Sequence, residues 1–136
     1  MKKVFNLLVA VMAVFAMTSC NEKKTFDALN GEWSVVAIGE MAVPDSVDAF
    51  MGFNIAENLI YGSTGCNQLT GALPAEVSPE LQMFAAMGST RMMCADMTIE
   101  DAMLPALGAV VDFKVDGNSL YLLDAAGNTV VSLEKR

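Results

Sequence analysis

The reactive groups that stand out in the sequence are thioethers and thiols. Met83, Met87, Met92, Met93 and Met97 surround Cys94, and because thioether and thiolate ligands select Cu(I), a Met/Cys-based periplasmic copper-binding protein is one reading. Methionine also fills irregular core gaps, the chain carries 11 Met in all, and adjacent Met92 and Met93 on a strand would face opposite sides. Core packing is therefore the simpler account, and neither a metal nor any other cofactor is expected. Asp96, Glu100 and Asp101 are candidates for paired-carboxylate hydrolysis, yet acids at a helix start answer equally to the macrodipole. The sequence has no His, so Ser34, Ser46, Ser63, Ser78 and Ser89 lack the usual base, and no Gly-x-Ser-x-Gly elbow occurs. Gly62-Ser63-Thr64-Gly65 lacks the Lys of a phosphate loop. No catalytic residue is assigned, and the chain is not expected to be an enzyme. Arg91 is the lone guanidinium between residues 29 and 134. It either pairs with an acid, Glu100 being the natural partner, and pins a helix to a sheet, or it grips an anionic ligand in a cleft with Tyr61, Trp33 and Met side chains.

Charge narrows the partners. With 8 Lys+Arg against 16 Asp+Glu among 136 residues, the chain lacks the basic footprint that displaces phosphate counterions, so nucleic acid is excluded as a partner. Met1-Lys2-Lys3 followed by the apolar run Val4 to Ala16 has the layout of a secretory signal and is too short for a membrane span. Met17-Thr18-Ser19-Cys20 looks like a lipobox, which makes residues 1–19 a lipoprotein signal peptide and Cys20 the acylated N-terminus. More than one acyl chain gives stable anchoring. Loss of Lys2 and Lys3 from the 8 basic side chains, against 16 acidic ones, leaves the mature chain at −10. Asn21 in place of Asp favours transfer to the outer membrane, so the expected location is the cell envelope, lipid-anchored and facing the periplasm.

The elements that must position these groups follow from local pattern. Residues 20–28 read as the lipidated Cys and a polar tether, and residues 29–136 as one domain. Gly31 to Ile38 is a strand rich in β-branched and aromatic residues. Phe53-Asn54-Ile55 and Leu59-Ile60-Tyr61 flank a three-residue turn. Gly62, Gly65 and Gly71 mark positive φ or close backbone approach. Met97 to Leu107 is a helix with Thr98 as cap, Asp101 completing a capping box, and Ile99, Met103 and Leu107 on one face; Pro105 should kink or shorten its last turn. Val111 to Val115, Leu120 to Leu123 and Thr129 to Leu133 form an antiparallel meander. Residues 78–87 carry both a helix start, Ser78-Pro79-Glu80, and a strand-like alternation at Leu81 and Met83.

The order of several short motifs resembles the META domain family (HslJ-like). These are Gly31-Glu32-Trp33, Gly65-Cys66-Asn67 with Gly71, Thr90-Arg91-Met92-Met93-Cys94, Glu100 with Leu107, and the C-terminal strands. The resemblance implies an α+β fold, a small curved antiparallel sheet, partly open and barrel-like, packed by one main helix, without an established catalytic site. It also implies that Leu81 to Phe84 is a strand. With Cys20 acylated, Cys66 and Cys94 remain as an even pair in an oxidising compartment, where a disulfide is the default and two buried thiols the alternative. The expected function is a membrane-anchored binding or docking module for another envelope protein or a small apolar ligand, with a link to envelope stress or drug tolerance carried by the resemblance alone.

Overall fold

The computed structural model describes residues 25–136 apart from Pro79; the signal-peptide and Cys20 readings lie outside the described residues. No helix among the described residues is long and apolar enough to cross a membrane.

Nine strands make one open antiparallel sheet: β1 (Gly31–Ile38), β2 (Met41–Ala42), β3 (Phe50–Asn54), β4 (Leu59–Ser63), β5 (Gln68–Ala72), β6 (Met87–Ser89), β7 (Asp112–Asp116), β8 (Ser119–Leu123) and β9 (Thr129–Lys135). Their order is β6-β5-β4-β3-β1-β9-β8-β7, with β2 paired to β1. β1 is the seam between an N-terminal meander and the C-terminal one, since it pairs with both β3 and β9. On β8 and β9 the alternation holds: Leu120, Leu122, Val131 and Leu133 are buried. On β1 it changes phase. Trp33 and Val35 are buried, then Ile38, because a bulge between Val35 and Ala37 inserts one residue against β9 and turns the following side chains over. Phe26 adds to this core by stacking on Phe113, ring centroids 5.9 Å apart, and the Trp33 indole N–H donates to the Leu29 carbonyl at 2.8 Å.

The β3–β4 hairpin forms where the apolar pattern places it. Its turn is a short 3-10 segment, Ile55–Glu57, closed by Asn58 at φ 57°, so Ile55 belongs to the turn and not to the strand. Leu81 to Phe84 is not a strand. Met83 and Phe84 are buried side by side, and no ladder pairs this segment with a neighbouring strand. Instead the segment folds through turns, Leu81 N–H to Ser78 O and Ala85 N–H to Gln82 O, and Met83 N–H reaches Val110 O at 2.8 Å. It plugs the apolar face, and the strand falls later, at Met87–Ser89.

The helix α1 (Thr98–Gly108) packs against β1 and β9 and buries Ile99, Met103 and Leu107 on one face. The expected cap is absent. Met97 holds the N-cap position without a side-chain bond, and Asp96 Oδ1 accepts the Thr98 N–H at 2.9 Å in its place. Pro105 neither breaks the helix nor ends it at once, because Asp101, the residue whose carbonyl loses its partner, lies on the solvent side with Pro105. The end tightens into i−3 bonds from Ala109 and Val110.

Close approach explains two of the marked glycines. A Cβ on Gly62 would stand 2.4 Å from the Phe50 carbonyl oxygen and 3.2 Å from Met51 Cα, and one on Gly71 2.4 Å from the Ala86 carbonyl oxygen. Gly65 needs its positive φ of 92° for the turn after β4. Gly62→Ala is therefore expected to destabilise by about 1–3 kcal/mol through overpacking against backbone, read as a lower urea midpoint. Gly88→Ala, whose Cβ would meet nothing within 4 Å, serves as the control and should leave the midpoint unchanged.

Candidate functional site

β4 and β5 are joined by four residues, Thr64 to Asn67, and this tight turn organises the site. Thr64 N–H donates to Asn67 O and Asn67 N–H to Thr64 Oγ1, each at 3.0 Å. Cys66 N–H also reaches Thr64 Oγ1, at 3.2 Å, and Gly65 N–H reaches Ser63 Oγ at 2.9 Å. The Thr64 hydroxyl, already accepting from two amides, sends its own proton to Glu100 Oε1 at 2.7 Å.

Asn67 is buried and uses both ends of its amide. Nδ2 donates to the Glu100 carboxylate, 2.8 Å to Oε1 and 2.9 Å to Oε2, and to the Met92 carbonyl at 3.1 Å. Oδ1 accepts from Thr90 Oγ1 at 2.8 Å and from Met92 N–H at 2.6 Å. One side chain thus holds a helix and both backbone groups of a residue on the connection between β6 and α1. Thr90 continues the ladder outward, since its N–H meets Gln68 O and its Oγ1 accepts from Gln68 N–H.

Glu100 is buried, and no cation among the described residues partners it. It sits in the first turn of α1, where unpaired amides favour negative charge. The Thr64 hydroxyl first, and the Asn67 amide with it, hold its carboxyl below the ordinary value of 4.5, against the opposing effect of burial. Asp96, an exposed acid, is lowered by the Thr98 hydroxyl and N–H. Both acids line an open cleft of about 390 Å³ beside Cys66 and Cys94. A general acid needs its pKa raised; these two are shifted the other way.

Cys66 and Cys94 form a disulfide with Cα atoms 6.0 Å apart, so the thiol alternative is set aside and two thiolates leave the copper reading. Met97 Sδ lies 3.8 Å from Cys66 Sγ and accepts from Cys94 N–H at 3.4 Å. Met92 and Met93 are exposed, on a connection instead of on opposite faces of a strand. No group of three or more His, Cys, Asp or Glu among the described residues is placed to hold a metal ion.

The sequence motifs converge unevenly. Gly65, Cys66, Asn67, Thr90, Met92, Cys94 and Glu100 meet in this one network. Trp33 and Leu107 are core, Gly31 and Gly71 are backbone features of the sheet, and Met93 points to solvent. Arg91 does not join Glu100. It is exposed and makes no ion pair among the described residues; Glu100 takes its donors from Thr64 and Asn67 instead. Nor does Arg91 share a cleft with Trp33, which is buried. Tyr61 donates instead to Glu32 at 3.0 Å and packs edge-on against Phe50; burial, and then the Glu32 carboxylate, raise its pKa. Thr64 is the site residue that the sequence does not single out, since Gly62-Ser63-Thr64-Gly65 stands out only as a stretch without a phosphate loop's Lys. A Thr three residues before Asn in a strand-to-strand turn was the available signal.

A second concavity lies between the β5 end, the plug segment and the end of α1. It encloses about 660 Å³ and is lined largely by apolar side chains, among them Leu73, Pro74, Leu81, Met83, Ala86 and Val111.

The META domain family model matches residues 25–136. No curated protein matches the sequence significantly. Among solved structures, an NMR structure of a protein from Burkholderia xenovorans is similar at a TM-score of 0.63 and 18% identity, covering 94% of this chain and 99% of the other. A second NMR structure reaches a TM-score of 0.61 at 21% identity over 82% and 95% of the two chains. A crystal structure of a DUF4847 family protein from Bacteroides vulgatus reaches 0.55 at 14% identity over 79% and 94%. At these identities the likeness concerns the fold.

A carboxyl whose pKa is depressed by folding contributes stability that is present above its unfolded value and lost as pH falls through the folded one. Glu100→Gln keeps a carbonyl oxygen for Thr64 Oγ1 but places an amide NH₂ where Oε2 accepts from Asn67 Nδ2, donor against donor. The expected loss is about 1–3 kcal/mol at pH 7, the range for an unsatisfied buried polar group. The gap to the parent should begin to narrow below pH 4.5, where the unfolded chain takes up a proton, and close as pH falls through the lower folded value; urea unfolding at pH 7 and at a series of pH values below 4.5 measures both.

Proposed function

The chain belongs to the META domain family, and on that premise we propose that it is a non-enzymatic binding module of the bacterial cell envelope, tethered by acyl chains on Cys20 and facing the periplasm. The apolar groove of about 660 Å³ carries this reading. It is open, it is lined by Leu73, Pro74, Leu81, Met83 and Val111, and it has few polar groups, which suits an uncharged apolar ligand or an apolar segment of another envelope protein. An anionic ligand would meet the acidic surface of a chain with 16 Asp+Glu.

The absence of catalysis rests on the state of the polar groups. The oxygens of Glu100 are taken up by Thr64 and Asn67, the amide of Asn67 is used at both ends, and the two described sulfurs of cysteine are bonded to one another. Groups so occupied are committed to holding the β4–β5 turn, the helix start and the β6–α1 connection together. A part in envelope stress or drug tolerance follows the HslJ-like resemblance.

Two experiments test the reading. Cys20→Ser should move the protein from the membrane fraction to the soluble periplasmic fraction, and retention on the membrane would refute the lipid tether. For the groove, the uncharged fluorophore N-phenyl-1-naphthylamine should bind the full chain and displace with apolar competitors. Leu81→Asp, at an exposed position on the groove wall, should weaken that binding by about tenfold, the order expected for losing one buried Leu contact. Unchanged binding in Leu81→Asp would refute the groove.

A further inference from the structure

The methionines among the described residues run between two extremes, with Met41, Met87 and Met97 in between. Met51, Met83 and Met103 are buried to within 1% of full burial, whereas Met93 is 87% and Met92 56% exposed, the two most exposed large apolar side chains. They are adjacent, and no packing role explains them. Cys66 and Cys94 are bonded to each other, so the described residues offer no thiol, and thioether sulfur is the oxidisable sulfur on this surface.

The backbone beneath the pair is held on both sides. Met92 N–H donates to Asn67 Oδ1 at 2.6 Å and its carbonyl accepts from Asn67 Nδ2 at 3.1 Å, and the next residue but one, Cys94, is fixed by the disulfide. The two thioethers are kept in solvent, and a change in their polarity breaks neither a core contact nor a backbone bond. A buried Met behaves in the opposite way, since conversion to the sulfoxide puts a polar group in the core.

We propose that Met92 and Met93 form a reversible oxidation site, at which each thioether accepts one oxygen atom from a peroxide and is regenerated by a thiol-dependent methionine sulfoxide reductase. In the forward step the sulfur lone pair attacks one peroxide oxygen, the O–O bond breaks as the S–O bond forms, and the departing hydroxide takes up a proton and leaves as water. Sulfur loses two electrons and the peroxide gains them. In the return step two thiols of the reductase become a disulfide and the oxygen leaves as water. The rigid clamp makes the site a renewable trap for oxidant placed beside the domain's own bridge, with the fold indifferent to which form is present.

The test uses the full chain treated with hydrogen peroxide and mapped by peptide mass spectrometry. Each sulfoxide adds about 16 Da. Met93 and Met92 should be oxidised first, at rates about tenfold or more above those of Met51, Met83 and Met103, in keeping with the dependence of oxidation on exposure. The doubly oxidised protein should keep its thermal midpoint, and methionine sulfoxide reductases A and B with a dithiol should remove both oxygens. Met92→Leu/Met93→Leu should abolish the early uptake of two oxygens without a change in midpoint. Oxidation spread evenly over all methionines, a midpoint lowered by the two sulfoxides, or sulfoxides that the reductases leave in place would each overturn the proposal.

Discussion

A buried carboxylate that no cation among the described residues partners sits where three parts of the chain meet, and most of the site's geometry answers that charge. Removing Glu100 from water is unfavourable unless its oxygens are supplied with donors. The donors come from the β4–β5 turn: the Thr64 hydroxyl and the Asn67 amide. For Thr64 to point inward, the turn must be four residues long with Gly65 at positive φ. For Asn67 to present Nδ2 to Glu100, its Oδ1 must be occupied elsewhere, and Thr90 with Met92 N–H occupies it. The positive end of α1 completes the set. Each member has its geometry set by the others, so the network acts as a unit.

The same network divides labour with the disulfide. Hydrogen bonds from Asn67 orient the connection between β6 and α1, and the Cys66–Cys94 bond limits how far it can move in the unfolded chain, which in the chain-entropy model stabilises by about 3–4 kcal/mol for a loop of this length. Two independent restraints on one short segment leave Met92 and Met93 displayed on a stiff support. The C-terminal residues do comparable work at the other side of β1: Lys135 Nζ lies 4.8 Å above the Trp33 ring and donates to Asn30 O, and Arg136 stacks on Phe50 and pairs with Asp48.

The apolar groove and the polar network are separate places, and the fold explains why. The sheet is open, with β6 and β7 at its two edges, and the residues between β5 and β6 span the apolar face between them through Met83 N–H and Val110 O. A plug held by few backbone bonds leaves space along its margins, and there the groove forms. The helix start, by contrast, carries polar groups bonded to one another beside a smaller cleft of about 390 Å³. Binding and rigidity therefore occupy opposite ends of α1.

How much of this was legible in the residues depends on the range of the interactions. The C-terminal meander, the β3–β4 hairpin, the helix at 98–108 and the close-approach glycines Gly62 and Gly71 follow from periodicity, turn residues and sterics, which act over a few positions and so are written locally. The order of motifs carried the META likeness and, through it, the α+β sheet-and-helix fold. The partner of Glu100 was not legible. An acid and a lone Arg91 in one sequence invite pairing by charge, but the donors Glu100 receives, a neutral hydroxyl and an amide, belong to a turn that only the meeting of β4, β5 and α1 brings to it. The same holds for Leu81 to Phe84, whose local alternation was overridden by an apolar face that needed covering by adjacent side chains, and for Met92 and Met93, whose exposure is decided by what holds the backbone beneath them. The sequence by itself determined element types, the meanders and the chemistry available, because those depend on neighbours in the chain. Only the tertiary structure decided which donors met the buried carboxylate and which sulfurs faced water, because those depend on contacts between residues distant in the chain, such as Thr64 with Glu100, 36 positions apart, and Asn67 with Met92, 25 apart.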